Sequence, residues 1–235
     1  MDKILVKVRA ADATLSWVDV LSDSEKQRMA GKHEATRPSF VTARALLRLE
    51  LGNLLDCAPE DVPLSQEGNG PVILEGAAKK GPFFSVSHTG TAENGIIGVT
   101  VSNKIPVGID LELPDRDIDW QRVAEKRYPL GDYEDMMLMD PVDAHQMFYK
   151  LWTLREALVK FENGKLMQYL KDVRLDMQSV PPKVIGETPA GHSNVFLFNH
   201  YHNENDLMIG MCAARMGAID LNIDLDDAYR YEPLI

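Results

Sequence analysis

The chain has 235 residues, with 36 acidic against 25 basic side chains and a formal net charge of −11. Hydrophobic residues make up 45% and charged residues 26%, an ordinary globular balance that excludes collagen-like and disordered classes, and the length allows one large domain or two lobes of about 110 residues each. The acid excess argues against non-specific binding to nucleic acid, the longest apolar runs, such as Val72–Leu74 and Ile96–Val101, are far too short to cross a bilayer, and two cysteines alone, Cys57 and Cys212, point away from a disulfide framework or zinc site and toward a reducing, cytoplasmic setting.

Charges interrupt the apolar residues of Met1–Lys7, so the N-terminus lacks the h-region of a signal peptide. No internal period of 20–50 residues marks a solenoid. Ile4–Val8 reads as a strand. Ser22 stands three residues before Glu25, a capping-box pattern that opens a polar helix. A second helix is predicted from Pro38 to about Leu55, with Phe40, Ala43, Leu46, Leu47, Leu51 and Leu54 at helical spacing. Arg37, Arg44 and Arg48 recur along it and are expected on a solvated face, from which one or two could meet a phosphate. Asn69-Gly70-Pro71 is a turn, and Phe83–Ser87, Gly95–Val101 and Val107–Leu111 read as short strands.

A second lobe begins near residue 106, so the expected division is 1–106, 107–216 and an acidic tail, 217–235, expected to be a solvated extension. Asp119 caps a helix over Trp120–Lys126, and Asp140-Pro141 opens the strongest helix, which runs to about Phe161 and stops before Asn163-Gly164. Apolar residues cover nearly its whole circumference, the pattern of a buried helix. Asp172–Met177, Val195–His200 and Leu207–Ala214 read as strands. Helices and strands mixed without strict βαβ alternation predict an α+β fold.

Three constellations carry candidate chemistry. In Gly108-Ile109-Asp110-Leu111-Glu112, residues two apart share a strand face, so Asp110 and Glu112 set two carboxylates side by side. Such a pair repels unless a proton or cation lies between, and its hard oxygens suit Mg²⁺; the bland alternative is an exposed edge strand with surface acids. Trp152, Glu156 and Lys160 are spaced four apart and share a helix face. They form either an internal Glu156–Lys160 pair or a third metal ligand or general base, with a lysine reaching a phosphate. Phe84–Gly90 ends a strand in hydroxyls, an imidazole and a glycine, either donors for an anion or a plain strand-terminating turn. His200 and His202 could share a strand face, but nothing in the sequence completes a metal site around them.

Taken in order, Ser85-Val86-Ser87-His88-Thr89-Gly90, Gly108-Ile109-Asp110-Leu111-Glu112 and Trp152-Thr153-Leu154-Arg155-Glu156-Ala157-Leu158-Val159-Lys160 resemble the signature of the 4′-phosphopantetheinyl transferases. The likeness is to the monomeric two-lobed type that activates surfactin synthetase and related carrier proteins, closest to its holo-acyl-carrier-protein synthase branch. It covers roughly residues 20–178. The resemblance implies two similar α/β lobes related by a pseudo-twofold, with coenzyme A and Mg²⁺ (Mn²⁺ able to substitute) in the cleft between them. It implies that Asp110, Glu112 and Glu156 hold the metal, that Glu156 is also the general base, and that Lys160 neutralises phosphate charge. Ser87 and His88 match the contact to the 3′-phosphate, and Arg37, Arg44 and Arg155 are further candidates for coenzyme A.

The implied activity is Mg²⁺-dependent transfer of phosphopantetheine to a serine of an acyl, peptidyl or polyketide carrier protein, releasing 3′,5′-ADP. It would be performed by a cytoplasmic monomer in fatty-acid, polyketide or nonribosomal-peptide biosynthesis, with neither nucleic acid nor membrane as partner. The alternatives are a non-catalytic coenzyme A or carrier-binding module of the same fold and an unrelated Mg²⁺-dependent phosphohydrolase. Arg116, Arg122, Lys126 and Arg127 are the nearest basic cluster for an acidic carrier. Three positions leave the family pattern: Arg155 stands for the usual lysine, Gly70 for a phosphate-binding lysine, and Ser39 for a basic residue.

Overall fold

Alternation of apolar and charged side chains makes the first strand, β1 (Asp2–Ala10), whose Ile4, Val6 and Val8 are buried. The computed structural model describes residues 2–68, 70–76, 81–92, 94–114, 118–202, 206–215 and 219–225. The described residues divide into two units, one formed by residues 2–106 with Ile219–Leu225 and the other by residues 107–215. Among the described residues no helix is long and apolar enough to cross a membrane.

In the first unit β1 is followed by α1 (Leu15–Asp19), α2 (Asp23–Ala30) and α3 (Arg37–Leu55). The capping box at α2 is present: the Ser22 hydroxyl accepts from the Glu25 amide, and the Glu25 carboxylate accepts from the Ser22 amide at 3.2 Å. Pro38 lies in the first turn of α3, and Asp56 ends it in the left-handed region. A small hairpin of β2 (Leu64–Ser65) and β3 (Ile73–Leu74) precedes β4 (Phe83–Thr89) and β5 (Ile96–Ser102). β5 pairs antiparallel with both β1 and β4. Leu46, Leu47 and Leu51 of α3 pack on Ile97, Val99 and Val101 of β5. Leu54, expected on the same face, is 42% exposed.

The second unit runs β6 (Val107–Glu112), α4 (Trp120–Arg127), α5 (Leu130–Met137), α6 (Pro141–Glu162), α7 (Leu166–Asp172), a small pair of β7 (Arg174–Asp176) and β8 (Lys183–Ile185), then β9 (Val195–His202) and β10 (Leu207–Ala214). Asp119 caps α4 by accepting from the Arg122 amide, and Asp140 caps α6 by accepting from Val142. Asn163, left-handed, ends α6. Phe148, Leu154, Ala157 and Leu158 of α6 share a core with Leu197 of β9 and Met208 and Cys212 of β10.

The two units share a topology. β1-β5-β4 and β6-β10-β9 are antiparallel throughout with the last strand central, and a long helix lies between the first strand and the second in each. A strand from the far end of the chain, β11 (Ile219–Leu225), adds to the first sheet parallel to β1. This differs from the expected solvated tail. Ile219, Leu221, Ile223 and Leu225 alternate with Asp220, Asn222 and Asp224, a half-buried strand pattern that the acidic composition concealed. Leu225 is buried, and Asp224 accepts from Arg9 at 2.8 Å and lies 3.6 Å from Lys7. Residues 226–235 lie outside the described residues.

A second correction concerns the arginines of α3. Arg44 and Arg48 do not form a solvated face; both are buried, Arg48 at 1% exposure. Arg48 donates from Nε to Glu25 of α2 at 2.5 Å and from Nη1 to the carbonyls of Pro59, Glu60 and Val62. The second unit repeats the device. Arg155 of α6, fully buried, donates to the Asp132 carboxylate of α5 and, at 2.9 Å, to the Val173 carbonyl. Its guanidinium lies 4.4 Å from the centre of the Tyr128 ring. The acid stands 23 residues before the arginine in both units.

Arg155→Ala strands the buried Asp132 carboxylate, and such a break costs about 3–5 kcal/mol. We expect a correspondingly lower midpoint in urea denaturation at unchanged m. Arg155→Lys should recover only part of the loss, because one ammonium does not span both Asp132 and Val173 as the planar fork does.

Candidate active site

Two glycines bring α6 unusually close to its sheet. A Cβ on Gly108 of β6 would stand 2.1 Å from the Ala157 carbonyl oxygen, and one on Gly210 of β10 would stand 2.5 Å from the Thr153 carbonyl carbon. The helix backbone therefore rests on the strand backbones. Asp110 lies two residues on from Gly108, so its side chain leaves the strand on the face that α6 covers, while Ile109 and Leu111 point the other way. At that level Lys160 Nζ donates to Asp110 Oδ1 at 2.8 Å. β6 is an edge strand, but Asp110 is only 5% exposed and is not the solvated surface acid of the bland reading.

Glu156 lies one turn before Lys160. Its carboxyl is pushed up from 4.5 to about 7, chiefly by burial and then by the Asp110 charge, with a further push from Glu112 and an opposing pull from Lys160. The charges of two further carboxylates and one ammonium thus act on Glu156 across the helix–strand contact. The donor chemistry suits Mg²⁺, which takes hard carboxylate oxygens, and the repulsion that raises Glu156 is what a divalent cation would relieve. As they stand, no three His, Cys, Asp or Glu side chains among the described residues are arranged to hold a metal ion. The Lys160 ammonium lies against Asp110 instead.

The other sequence candidates fall elsewhere. Ser87 and His88 are neighbours on β4 and so leave it on opposite faces; Ser87 is 4% exposed and His88 is solvent-exposed. Arg37 donates to the carbonyls of Lys32 and Ala30 beyond and at the end of α2. Arg44 donates to Gln66 at 2.6 Å, stands 3.8 Å from Glu25, and lines a cavity of about 650 Å³ in the first unit. Arg155 must be withdrawn as a ligand for coenzyme A: it has no exposed surface and is committed to Asp132 and Val173. Arg122, Lys126 and Arg127 are exposed along α4, and Arg116 lies outside the described residues. Asn69 also lies outside them, while Gly70 closes a turn by donating to the Glu67 carbonyl. The His200 and His202 rings are 6.3 Å apart.

Sequence reasoning missed Arg28, which shares the Arg44 cavity and donates to Gln66 and Gly68. Its helix is mostly polar and gives no periodic signal that singles it out.

No family model matches the chain. Individual proteins do. HetI of Nostoc sp., a 4′-phosphopantetheinyl transferase, is 25% identical over 155 residues, covering 66% of this chain and 63% of its own. A Bacillus subtilis protein of the same name is 24% identical over 205 residues, 87% of this chain and 85% of its own. A Synechocystis sp. protein provisionally given that name is 27% identical over 207 residues, 83% and 82% of the two chains.

The chain is a homologue of the 4′-phosphopantetheinyl transferases.

Those relatives are transferases, and identities of this size do not assign the chain to one branch of them. The resemblance that the three motifs carry is therefore a kinship over most of the chain's length rather than a local coincidence.

For this transferase homologue the raised Glu156 carboxyl sets a pH dependence. A group whose folded pKa lies above its unfolded value holds a proton that the unfolded chain releases. Stability therefore falls as pH rises from about 4.5 to about 7. Glu156→Gln removes this loss. The variant should melt like the wild type near pH 4 and be more stable at pH 8, by on the order of 2 kcal/mol. Thermal melts across that range without added metal measure it. Gly108→Ala should cost about 1–3 kcal/mol or more by overpacking the helix contact, which a denaturant titration would read.

Proposed function

We propose that this protein transfers the 4′-phosphopantetheine group of coenzyme A to a serine of an acyl, peptidyl or polyketide carrier protein in a Mg²⁺-dependent reaction that releases 3′,5′-ADP. What carries the reading is the cluster of Asp110, Glu112, Glu156 and Lys160 at the Gly108 contact, in a chain homologous to proteins of that name.

Asp110, Glu112 and Glu156 would hold Mg²⁺, which when bound supplies positive charge against the pyrophosphate of the donor and the charge that develops on the leaving group. Glu156, a carboxyl tuned close to neutrality, is the group suited to take the proton of the serine hydroxyl, directly or through a water. The serine oxygen forms its bond to the phosphorus that bears pantetheine, and the bond from that phosphorus to 3′,5′-ADP breaks. Lys160 faces the phosphate charge. His88, with Ser87 on the same strand, is the candidate contact for the 3′-phosphate, and Arg28 and Arg44 supply cations around their cavity. The basic face of α4, Arg122, Lys126 and Arg127, suits an acidic carrier. The reading includes the pseudo-twofold relation of two lobes that share a strand order, and a monomer working in the cytoplasm.

Mass spectrometry of an apo carrier protein incubated with coenzyme A, Mg²⁺ and the enzyme tests this. We expect a gain of one phosphopantetheine, and a rate lower by about a hundred- to a thousandfold in Asp110→Asn and Glu156→Gln, with both variants folded. Release of inorganic phosphate without a mass gain would point to hydrolysis instead, and an unmodified carrier across a panel would point to a binding module.

A further inference from the structure

The acidic cluster already contains a cation. Asp110 is nearly fully buried, so its charge needs compensation whether or not a metal is present. Lys160 supplies it at 2.8 Å. The two partners differ in freedom. Asp110 sits on a strand clamped under α6 by Gly108. The Lys160 side chain is 27% exposed and ends a flexible four-carbon stem that can swing outward. With the ammonium on Asp110, the described residues offer no ready-made metal-holding trio. The charges of Asp110 and Glu112 nevertheless reach Glu156.

We propose that Lys160 is the resident counter-cation of this cluster: it occupies Asp110 in the metal-free protein and gives up that oxygen when a divalent cation enters. The displaced ammonium is then available to the phosphate of the donor, so metal loading and phosphate capture are coupled through one side chain. Lys160 thus acts as a positioning residue that competes with the metal, not as one of its ligands. The inference rests on the reading that Asp110, Glu112 and Glu156 hold a divalent cation.

The test is Mn²⁺ binding to the full chain without coenzyme A, followed by electron paramagnetic resonance at pH 7.5, for the wild type, Lys160→Met, Lys160→Arg and Asp110→Asn. Methionine keeps the apolar stem and removes the charge. We expect Lys160→Met to bind Mn²⁺ at least tenfold more tightly than the wild type, and Lys160→Arg, which keeps the charge, to stay close to the wild type. Asp110→Asn should bind weakly. In thermal melts the metal-free Lys160→Met protein should be the less stable, and its melting temperature should rise more with Mn²⁺ than that of the wild type. If Lys160→Met does not fold, Lys160→Gln takes its place in the same titration. Wild-type binding with unchanged or weaker affinity in the charge-removed variant overturns the competition. Absence of Mn²⁺ binding from wild type and variants alike overturns the metal reading itself, and the inference with it.

Discussion

The acidic cluster depends on a contact between backbones. α6 lies against β6 and β10 at Gly108 and Gly210, where a single methyl group would collide with helix backbone atoms. Everything chemical in the second unit follows from that closeness. A carboxylate leaving the strand two residues past Gly108 is buried under the helix and meets the Lys160 ammonium directly. The glycine of Gly-Ile-Asp-Leu-Glu is therefore a spacer. It sets how far the strand carboxylates stand from the helix side chains, and any residue with a Cβ would move both. The helix that presses on it runs 22 residues between a capping aspartate and a left-handed asparagine, a rigid platform for Glu156 and Lys160.

Rotation of α6 about its own axis needs a second constraint, and Arg155 provides it. A buried ion pair is weak evidence for net stability, but it penalises any register that leaves one partner alone. Arg155 is held by Asp132, Val173 and the Tyr128 ring. Glu156 is the next residue, about 100° around the helix, so fixing Arg155 toward α5 fixes Glu156 toward β6. The first unit holds α3 in the same manner through Arg48 and Glu25. In both long helices the arginine stands seven residues before the helix end, Leu55 in one and Glu162 in the other. A structural pair thus aims a chemical group it never touches.

Local signals in the sequence carried much of this. The Ser22–Glu25 capping box, the Asp140-Pro141 start and the Asn163-Gly164 stop are all written within four residues, and each stands where it was read. The pairing of Asp110 with Lys160 was not legible: helical spacing gave Lys160 to Glu156 or to a phosphate, and only the fold brings β6 under it. What escaped was non-local or masked. Arg44 and Arg48 read as solvated cations, and Arg155 as a contact for coenzyme A, until their acids, 23 residues earlier for Arg48 and Arg155, fold against them. α5 and α7 are short and lack a clean period. The period-2 pattern of β11 was hidden by its aspartates. Ser87 and His88 were read at a strand end, but β4 runs on to Thr89, so the two leave it on opposite faces.

The charge of the whole chain bears on how such a site can receive a polyphosphate. A protein at −11 does not attract anions at long range, so any phosphate must be captured by local cations. Asp110, Glu112 and Glu156 would repel a pyrophosphate outright if all were ionised. Two features lower that barrier. Glu156 holds its proton up to about pH 7, and Lys160 cancels one further charge. On the proposed reading a divalent cation that displaces the Glu156 proton completes the balance, since three ionised carboxylates are then matched by one ammonium and one doubly charged metal. The donor then meets a site with no net charge and an ammonium displaced toward it. A metal that arrives with the pyrophosphate or before it satisfies this arrangement, whereas a bare pyrophosphate does not. On that reading the order of loading follows from electrostatics within one helix–strand contact.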